Sequence, residues 1–477
     1  MDVYIHQNGV PLCDKWYTFK KDIFMKFSNL SLSKEMLHNL NEIGYKEMTA
    51  IQAESLPHIL TGKDVIAQAK TGSGKTAAFG IGLLTKLQVK KFRVQSLILC
   101  PTRELADQVA KELRTLARAT HNVKILTLCG GAAFGPQLGS LRHGAHIIVG
   151  TPGRILKHLK KETLSLENLD MLVLDEADRM LDMGFSEEIN EVLDFAPQDR
   201  QTLLFSATYT DDILAVSKRI QKDAISVKTT SVETTNKISE YFYEVEHGSK
   251  LNTMVNIFSN FKPDNVIVFC NTKIEADEIA NTLQDKKIDA LAIHGDLEQY
   301  ERNDVLVQFA NKSARVLVAT DVAARGLDIK ELSMVINYDL PHSEETYTHR
   351  IGRTGRAGAE GLAFTLYESR QYDNADEYKN ETRKFEDVTL LKAHSGFEMK
   401  PEYITLVIEG GKKDKLRAGD LLGALTGDAG LNGSSIGKID IYDRQAYVAI
   451  ENKFIGEAHK QLKNGKIKGK KFSVWTF

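Results

Sequence analysis

The sequence predicts an α/β protein of two tandem parallel-sheet domains followed by a small βαββαβ domain. Three observations predict it. A length of 477 residues is too great for a single hydrophobic core and suggests roughly three domains. Short, uniformly apolar runs, each closed by an abrupt polar or glycine-rich motif, recur in two series separated by a polar stretch. Such runs, alternating with helical segments, mark parallel strands covered on both faces. After residue 400 the pattern changes to strand, helix, strand, strand, helix, strand.

Taken in order, residues 1–24 match no readable pattern and are set aside as an extension. The first domain, 25–227, contains DVIAQA–KTGSGKT, SLILC–PTREL, VKILTLC–GG, HIIVG–TPGR, MLVL–DEAD and TLLF–SAT. Ligands of such sheets bind beyond the carboxyl ends of the strands, and every polar motif falls at that end. KTTSVETTNK (228–237) is polar and Thr-rich, a flexible linker in expectation. The second domain, 238–369, repeats the grammar in ISEYFYEV, NVIVFC–NT, ALAIH–GD, RVLVAT–D, MVINYD–LP and GLAFTLY, without a phosphate loop. Residues 370–400 are charged and poor in apolar side chains, and are expected to be a second linker. In 401–477, YITLVIEG, RAGDLLGALTG, IGKIDIYD, RQAYVAIE, NKFIGEAHKQLKNG and KKFSVWTF follow the ferredoxin-like order used by RRM domains.

Composition narrows the function classes. An apolar share of 42% and a charged share of 26% are ordinary for a globular protein. No apolar run approaches the ~18 residues of a membrane helix, and the N-terminal stretch lacks the apolar core of a secretory signal. Cys13, Cys100, Cys129 and Cys270 form no CxxC pair, and three of them lie in strand-like runs. They read as small buried hydrophobes of a reducing cytoplasm rather than a metal or disulfide site. The net charge of −2 hides an asymmetry: residues 400–477 carry 14 Lys/Arg against 9 Asp/Glu, on an otherwise acidic body. That balance suggests attraction to a polyanion at the C-terminus, or a merely solvated surface.

The chemistry-bearing motifs begin with AKTGSGKT (69–76), between a strand and a helical stretch. Backbone amides over Thr71, Gly72, Ser73 and Gly74 can curl around phosphate oxygens at a helix N-terminus. Lys75 would reach the β- and γ-phosphates of ATP, and Thr76 would ligate Mg²⁺. Ala69 stands where the general pattern has glycine, so a chance glycine-rich turn is the alternative for this motif alone. Asp175 and Glu176 end a buried strand: Asp175 suits Mg²⁺, and Glu176 suits the orientation and deprotonation of an attacking water. A plain acidic helix start is the bland alternative.

GSGKT, PTRELA (101–106), Gly130–Gly131, TPGR (151–154), DEAD (175–178), SAT (206–208), ARGLD (324–328) and HRIGRTGR (349–356) stand in the order of the DEAD-box RNA helicases, which the chain resembles from Phe27 onward. The resemblance implies two RecA-like domains and RNA-dependent ATP hydrolysis. Upstream, Phe27, Gly44–Tyr45, Thr49 and Gln52 resemble the adenine-reading Q motif, with Met48 where most members carry proline. It further implies that Tyr45, Thr49 and Gln52 read adenine and that Asp328 touches the ribose. Arg353 and Arg356 would be arginine fingers, so that hydrolysis requires domain closure. Asp178 and Gln201 would couple the nucleotide site to Ser206–Thr208. Pro101, Thr102, Arg103, Gly131, Thr151 and Arg154 would contact the RNA backbone, joined by Asn271, Arg302 and Thr320 of the second domain. Ordinary turn chemistry explains any one of these taken alone.

The stretch 410–439 and NGKIKGK (464–470) resemble the RNA-binding domain of the bacterial DbpA (YxiN-like) subfamily. That resemblance implies recognition of the peptidyl-transferase-centre hairpin of 23S ribosomal RNA and work on pre-50S particles by a monomer. The first strand of the tail, ITLVI, has no central aromatic, and only Tyr447–Val448 fits the RNP1 pattern, so base stacking on the sheet should be weak. Lys412, Lys413, Lys415, Arg417, Lys466, Lys468 and Lys470 are the expected RNA contacts, with Tyr447 as the single aromatic candidate. About half of those lysines would serve solubility alone. The leading expectation is an ATPase that locally unwinds structured ribosomal RNA. An ATP-gated RNA clamp is the alternative, and a DNA helicase is disfavoured by the Q motif and the tail.

Overall fold

A computed structural model describes residues 26–69, 72–228, 238–324, 332–355, 360–392, 396–428 and 430–477. The chain divides into two compact units, one ending at Val232 and the other beginning at Glu233. Residues 1–25 and the linker 229–237 lie outside the described residues.

The first unit is one seven-stranded parallel sheet in the order β3-β4-β2-β5-β6-β1-β7. Its strands are β1 (Val65–Gln68), β2 (Ser96–Leu99), β3 (Ile125–Leu128), β4 (Ile147–Gly150), β5 (Met171–Asp175), β6 (Gln201–Ser206) and β7 (Ile225–Lys228). The helices that position the motifs are α1 (Ala50–Leu60), α2 (Lys75–Lys86), α3 (Arg103–Leu116), α4 (Phe134–Arg142), α5 (Pro152–Lys160) and α6 (Ala177–Asp182). Strands β2, β4, β5 and β6 are buried along their whole length. Each strand presents one set of side chains to each covering helical layer, which is why alternation is missing from their sequences. The edge strand β7 was not foreseen. Its sequence, ISVK, buries only Val227, too little for an apolar run.

The second unit holds two sheets. The larger is again seven-stranded and parallel, in the order β10-β11-β9-β12-β13-β8-β14. It comprises β8 (Ile238–Val245), β9 (Val266–Cys270), β10 (Ala290–Ile293), β11 (Val316–Thr320), β12 (Met334–Asn337), β13 (Gly361–Glu368) and β14 (Arg383–Glu386). The helices used below are α7 (Gln299–Ala310) and α8 (Glu344–Ile351). Strand β14 corrects the expected linker 370–400. It pairs with β8 from Arg383↔Glu240 to Glu386↔Tyr243, and Phe385 stacks on Phe242 with ring centres 4.6 Å apart. Met399 is buried in the core of the same sheet, so the segment completes the second domain.

The tail is a four-stranded antiparallel sheet, ordered β16-β17-β15-β18. The strands are β15 (Tyr403–Ile408), β16 (Ile436–Ile441), β17 (Ala446–Glu451) and β18 (Val474–Thr476). Helices α9 (Ala418–Gly423) and α10 (Ile455–Asn464) cover one face through Leu421, Ala458 and Leu462, as βαββαβ connectivity requires.

Candidate nucleotide and RNA sites

The phosphate loop leaves β1 and enters α2 at Gly74, whose φ of +91° only glycine adopts without strain. A Cβ on Gly74 would also lie 2.4 Å from the Gln52 amide nitrogen. That amide donates to the Gly74 carbonyl at 3.0 Å, while its oxygen accepts from the Thr49 backbone at 2.9 Å as a capping box of α1. Thr49 and Gln52 therefore tie the start of α1 to the phosphate loop. Tyr45 donates to Glu112 at 3.1 Å and meets Phe27 edge-on, so it is anchored against the same core. Thr71 lies outside the described residues.

Lys75 and Asp175 are both buried, and the Lys75 ammonium stands 3.7 Å from Asp175 Oδ1. Burial pushes the Asp175 carboxyl up to about 6, opposed by Lys75 and reinforced by Glu176. Among the described residues, Ser73 Oγ, Lys75 Nζ and Asp175 Oδ1 are buried polar atoms without a hydrogen-bond partner. Native interiors rarely leave such atoms unsatisfied, and this set fits a phosphate chain carrying a divalent cation. Thr76 follows at the first turn of α2, half-buried.

Glu176 occupies the left-handed region (φ 55°, ψ 52°), a costly conformation for a residue with a side chain. Its buried carboxylate accepts from Arg179 at 2.9 Å, three residues on. Arg179 was missed in the sequence, although the spacing to Glu176 was there to be noticed. Asp178 turns the other way: its Oδ2 accepts from the backbone of Ala207 (2.8 Å) and Thr208 (3.1 Å). Burial raises this carboxyl, but hydrogen bonds led by that from Ser206 outweigh it and hold Asp178 below its ordinary value. The DEAD turn and the SAT turn are thus joined. Gln201 does not share in this: it bonds the carbonyls of Ile59 and Lys63 and the Lys86 ammonium, at the far end of β6.

The turns after β2, β3 and β4 come together on the first domain. Thr102 caps α3 and Thr151 accepts from Gly130 N at 3.3 Å, so both hydroxyls already serve the backbone. Gly131 has φ +69°, and a Cβ there would fall 1.6 Å from the Arg103 guanidinium. Arg154 donates to Gln137 (2.7 Å) and to the Ala132 carbonyl (2.9 Å), and burial and Arg103 both lower its basicity. Two arginines therefore share one field beside exposed amides. Pro101 precedes them, buried at the strand end.

In the second domain Asn271 is exposed, with its backbone held by Asp339 at 2.9 Å. Arg302 is half-buried on α7 and Thr320 is buried at the end of β11. Arg350 is fully buried and forks onto Asp321 through two 2.7 Å bonds, a structural pair that sequence reading overlooked. Arg353 is buried just past α8. Asp328 and Arg356 lie outside the described residues.

In the tail, two basic loops meet. Lys468 donates to the Lys415 carbonyl at 3.0 Å and pairs with Asp420 at 3.5 Å, which draws the loop of Lys466 and Lys470 toward that of Lys412, Lys413 and Arg417. Tyr447 departs from the expectation. Its ring is buried with Val407 against Val307 of α7, and its hydroxyl bonds Asp304 at 2.9 Å. Thr405, on the same face, accepts from Asn311 (3.2 Å) and meets Ser313 Oγ at 2.7 Å. The patch of the sheet face made by Tyr447, Val407 and Thr405 is packed against the second domain, which leaves that ring no open side for a base, while Trp475, beside Val407 on the same face, is exposed. Nothing in the tail's own sequence could have shown this, because the partner is more than a hundred residues away.

Three family models match the chain: DEAD/DEAH box helicase over residues 49–216, helicase conserved C-terminal domain over 249–358, and DbpA RNA binding domain over 405–476. The ATP-dependent RNA helicase DbpA of Escherichia coli (strain K12) is 52% identical over 446 residues, covering 93% of this chain and 98% of that protein. The chain is a DEAD-box RNA helicase of the DbpA subfamily. The DbpA of Bacillus subtilis (strain 168) is 38% identical over 94% of this chain and 98% of its own. The DEAD-box ATP-dependent RNA helicase CshA of Bacillus cereus (strain ATCC 10987 / NRS 248) reaches 44% identity over 75% of this chain and 68% of its own. Among solved structures, S. cerevisiae Dbp5 bound to RNA and ADP BeF3 superimposes with a TM-score of 0.68 at 29% identity, covering 76% of this chain and 96% of that one. This DbpA-type helicase is therefore an RNA-dependent ATPase, with tandem RecA-like domains and an RNA-binding tail. No helix among the described residues is long and apolar enough to cross a membrane.

Proposed function

We propose that this helicase acts in the cytoplasm as a monomer that locally unwinds structured 23S ribosomal RNA on pre-50S particles, addressed by the peptidyl-transferase-centre hairpin. The observation that carries the reading is the tail. A DbpA RNA binding domain spans 405–476, and its two basic loops converge while its aromatic sheet position is turned inward. Lys412, Lys413, Lys415, Arg417, Lys466, Lys468 and Lys470 are then the hairpin contacts. The core track of Pro101, Thr102, Arg103, Gly131, Thr151, Arg154, Asn271, Arg302 and Thr320 would hold the backbone without reading sequence.

For the ATP step, Tyr45, Thr49 and Gln52 are assigned to adenine and Asp328 to ribose. The Gln52 amide, which bonds the Gly74 carbonyl and the Thr49 backbone, keeps a second N–H and a second oxygen lone pair for the base. The loop from Thr71 to Gly74 and Lys75 take the phosphates, and Thr76 and Asp175 would hold Mg²⁺, which neutralises phosphate charge when bound. Glu176 accepts the proton of the attacking water, with Arg179 fixing where its carboxylate points. Arg353 and Arg356 are assigned to the charge that develops on the γ-phosphate. The test compares ATPase stimulation by a 23S fragment containing the hairpin, by random RNA and by DNA of equal length. Strong preference for the first is expected, and equal stimulation by all RNAs would sink the ribosomal assignment.

A further inference from the structure

The first domain carries a basic surface that adjoins the RNA track but lies outside its motifs. Helix α5 opens at Pro152, immediately after Thr151, and runs past Phe134 at the start of α4. The Phe134 ring lies flat on the buried His158 imidazole, with ring centres 4.2 Å apart and planes 13° apart. Arg154, Lys157 and Lys161 all stand 5.7–5.8 Å from the centre of that same ring. Spacings of three and four residues set them on one helical face. Gln137 braces the platform, holding Arg154 at 2.7 Å, meeting His158 Nε2 at 3.2 Å and donating to the Cys129 carbonyl at 3.0 Å.

Among the described residues no carboxylate lies within 4.0 Å of the Arg154, Lys157 or Lys161 cation, whereas Lys160 pairs with Glu191 at 2.5 Å. Burial pushes the His158 imidazole down to about 4, and the charges of Arg154 and Lys157 add to it. Like charges gathered round a braced ring suit an external polyanion. Lys157 is exposed on α5 and Lys161 at its C-cap, and four residues of helix give a backbone rise of about 6 Å, comparable to the separation of neighbouring phosphates in an extended strand. Because α5 begins in the TPGR turn, the strand bound there is the nearest polyanion.

We propose that Lys157 and Lys161, mounted on Phe134, form a second RNA-backbone subsite that lengthens the strand track by roughly one or two nucleotides beyond Thr151–Arg154. This rests on the reading that the TPGR turn contacts RNA. The test uses the full chain, a non-hydrolysable ATP analogue and labelled oligouridylates of increasing length, titrated across a salt series. In Lys157→Gln/Lys161→Gln the log–log salt slope should flatten by about 1.4 and affinity near 0.1 M salt should fall on the order of twenty-fold, from a slope of about 0.7 per phosphate contact on single strands. The affinity gained by the last added nucleotides should vanish with it. Lys160→Gln, on the paired side, should change neither. Both lysines are exposed, so an unchanged melting temperature is expected of the double variant. A double variant with wild-type slope and affinity overturns the subsite, as does an equal loss in Lys160→Gln. Failure of the wild type to bind any RNA would instead overturn the reading of the TPGR turn.

Discussion

Asp175 is a carboxylate with one cation beside it and one oxygen without a hydrogen bond, in a place that hides it from water. Its raised position, about 6, has a consequence that can be signed. Below that pH the group holds a proton, and a proton excludes a divalent cation from the same oxygen. The Mg²⁺ concentration that half-saturates ATPase activity should therefore rise steeply as pH falls from 7 to 5.5, and a Mg²⁺ titration at each pH checks this. A flat requirement would overturn the assignment of Asp175 to Mg²⁺. In the metal-free protein the same raised value means that the folded state takes up this proton more readily than the unfolded state. This group's contribution to stability is thus greatest in acid and is lost as pH rises through about 6. Glu176 poses a different question, since its carboxylate is aimed by Arg179 and by a left-handed backbone. Glu176→Gln preserves the shape, the phosphate loop and the residue proposed for the metal, and removes the proposed base. Nucleotide and RNA binding should persist while hydrolysis falls by 10²-fold or more, the usual worth of general-base catalysis. Near-wild-type steady-state turnover would reassign the base.

The two RecA-like sheets were legible because their strands are covered on both sides and so appear as uniform apolar runs. What escaped was one edge of each sheet, while the opposite edges, β3 and β10, were read as apolar runs. β7 and β14 are half-buried, short and charged, and RKFE in particular gives no period that separates a strand from a linker. Its place is set by contacts distant in sequence. Arg383 bonds Glu240 at 2.8 Å and also pairs with Glu344, while its guanidinium lies 4.4 Å from the centre of the Tyr347 ring. Arg383→Ala would leave the Glu240 carboxylate, 16% exposed, without its cation. A loss of about 2 kcal/mol is expected, read as a lower denaturation midpoint of the full chain. A neutral result would return 370–400 to the status of a tether. The candidate nucleotide-site residues were singled out for another reason: the loop, the DEAD turn and the SAT turn each announce themselves by residue type at a strand end. How they are wired was not legible. Asp178 and Gln201 both looked like couplers, yet only Asp178 reaches Ala207 and Thr208, because Gln201 sits at the opposite end of the same strand.

At the scale of the second unit, the tail is bolted to α7. Tyr447 spans from Val407 to Asp304, and Thr405 closes a buried polar cluster with Asn311 and Ser313. A Tyr447 ring used in this way cannot also stack a base, so the RNA selection proposed for the tail is assigned to the basic loops at the edges of the sheet. Two removals separate gripping from bolting. Deleting 401–477 takes away the basic segment but none of the hydrolytic motifs. The truncated chain should still hydrolyse ATP with generic RNA, only weakly, since the remaining body is acidic and the contacts proposed for it are to backbone. Its preference for a hairpin-containing 23S fragment should disappear. The salt slope of binding should flatten by somewhat under one unit for each phosphate that the shortened chain no longer neutralises. Tyr447→Ala leaves every basic residue in place but empties the joint with α7. It should keep nearly the full salt slope and affinity for the hairpin while the hairpin's stimulation of ATPase activity drops severalfold, because RNA held by the tail is no longer held at a fixed place on the second domain. If Tyr447→Ala abolishes hairpin binding instead, the ring touches RNA after all and the loops are not the selecting surface. If it changes neither binding nor stimulation, the joint with α7 carries no function, and the tail delivers RNA merely by being tethered.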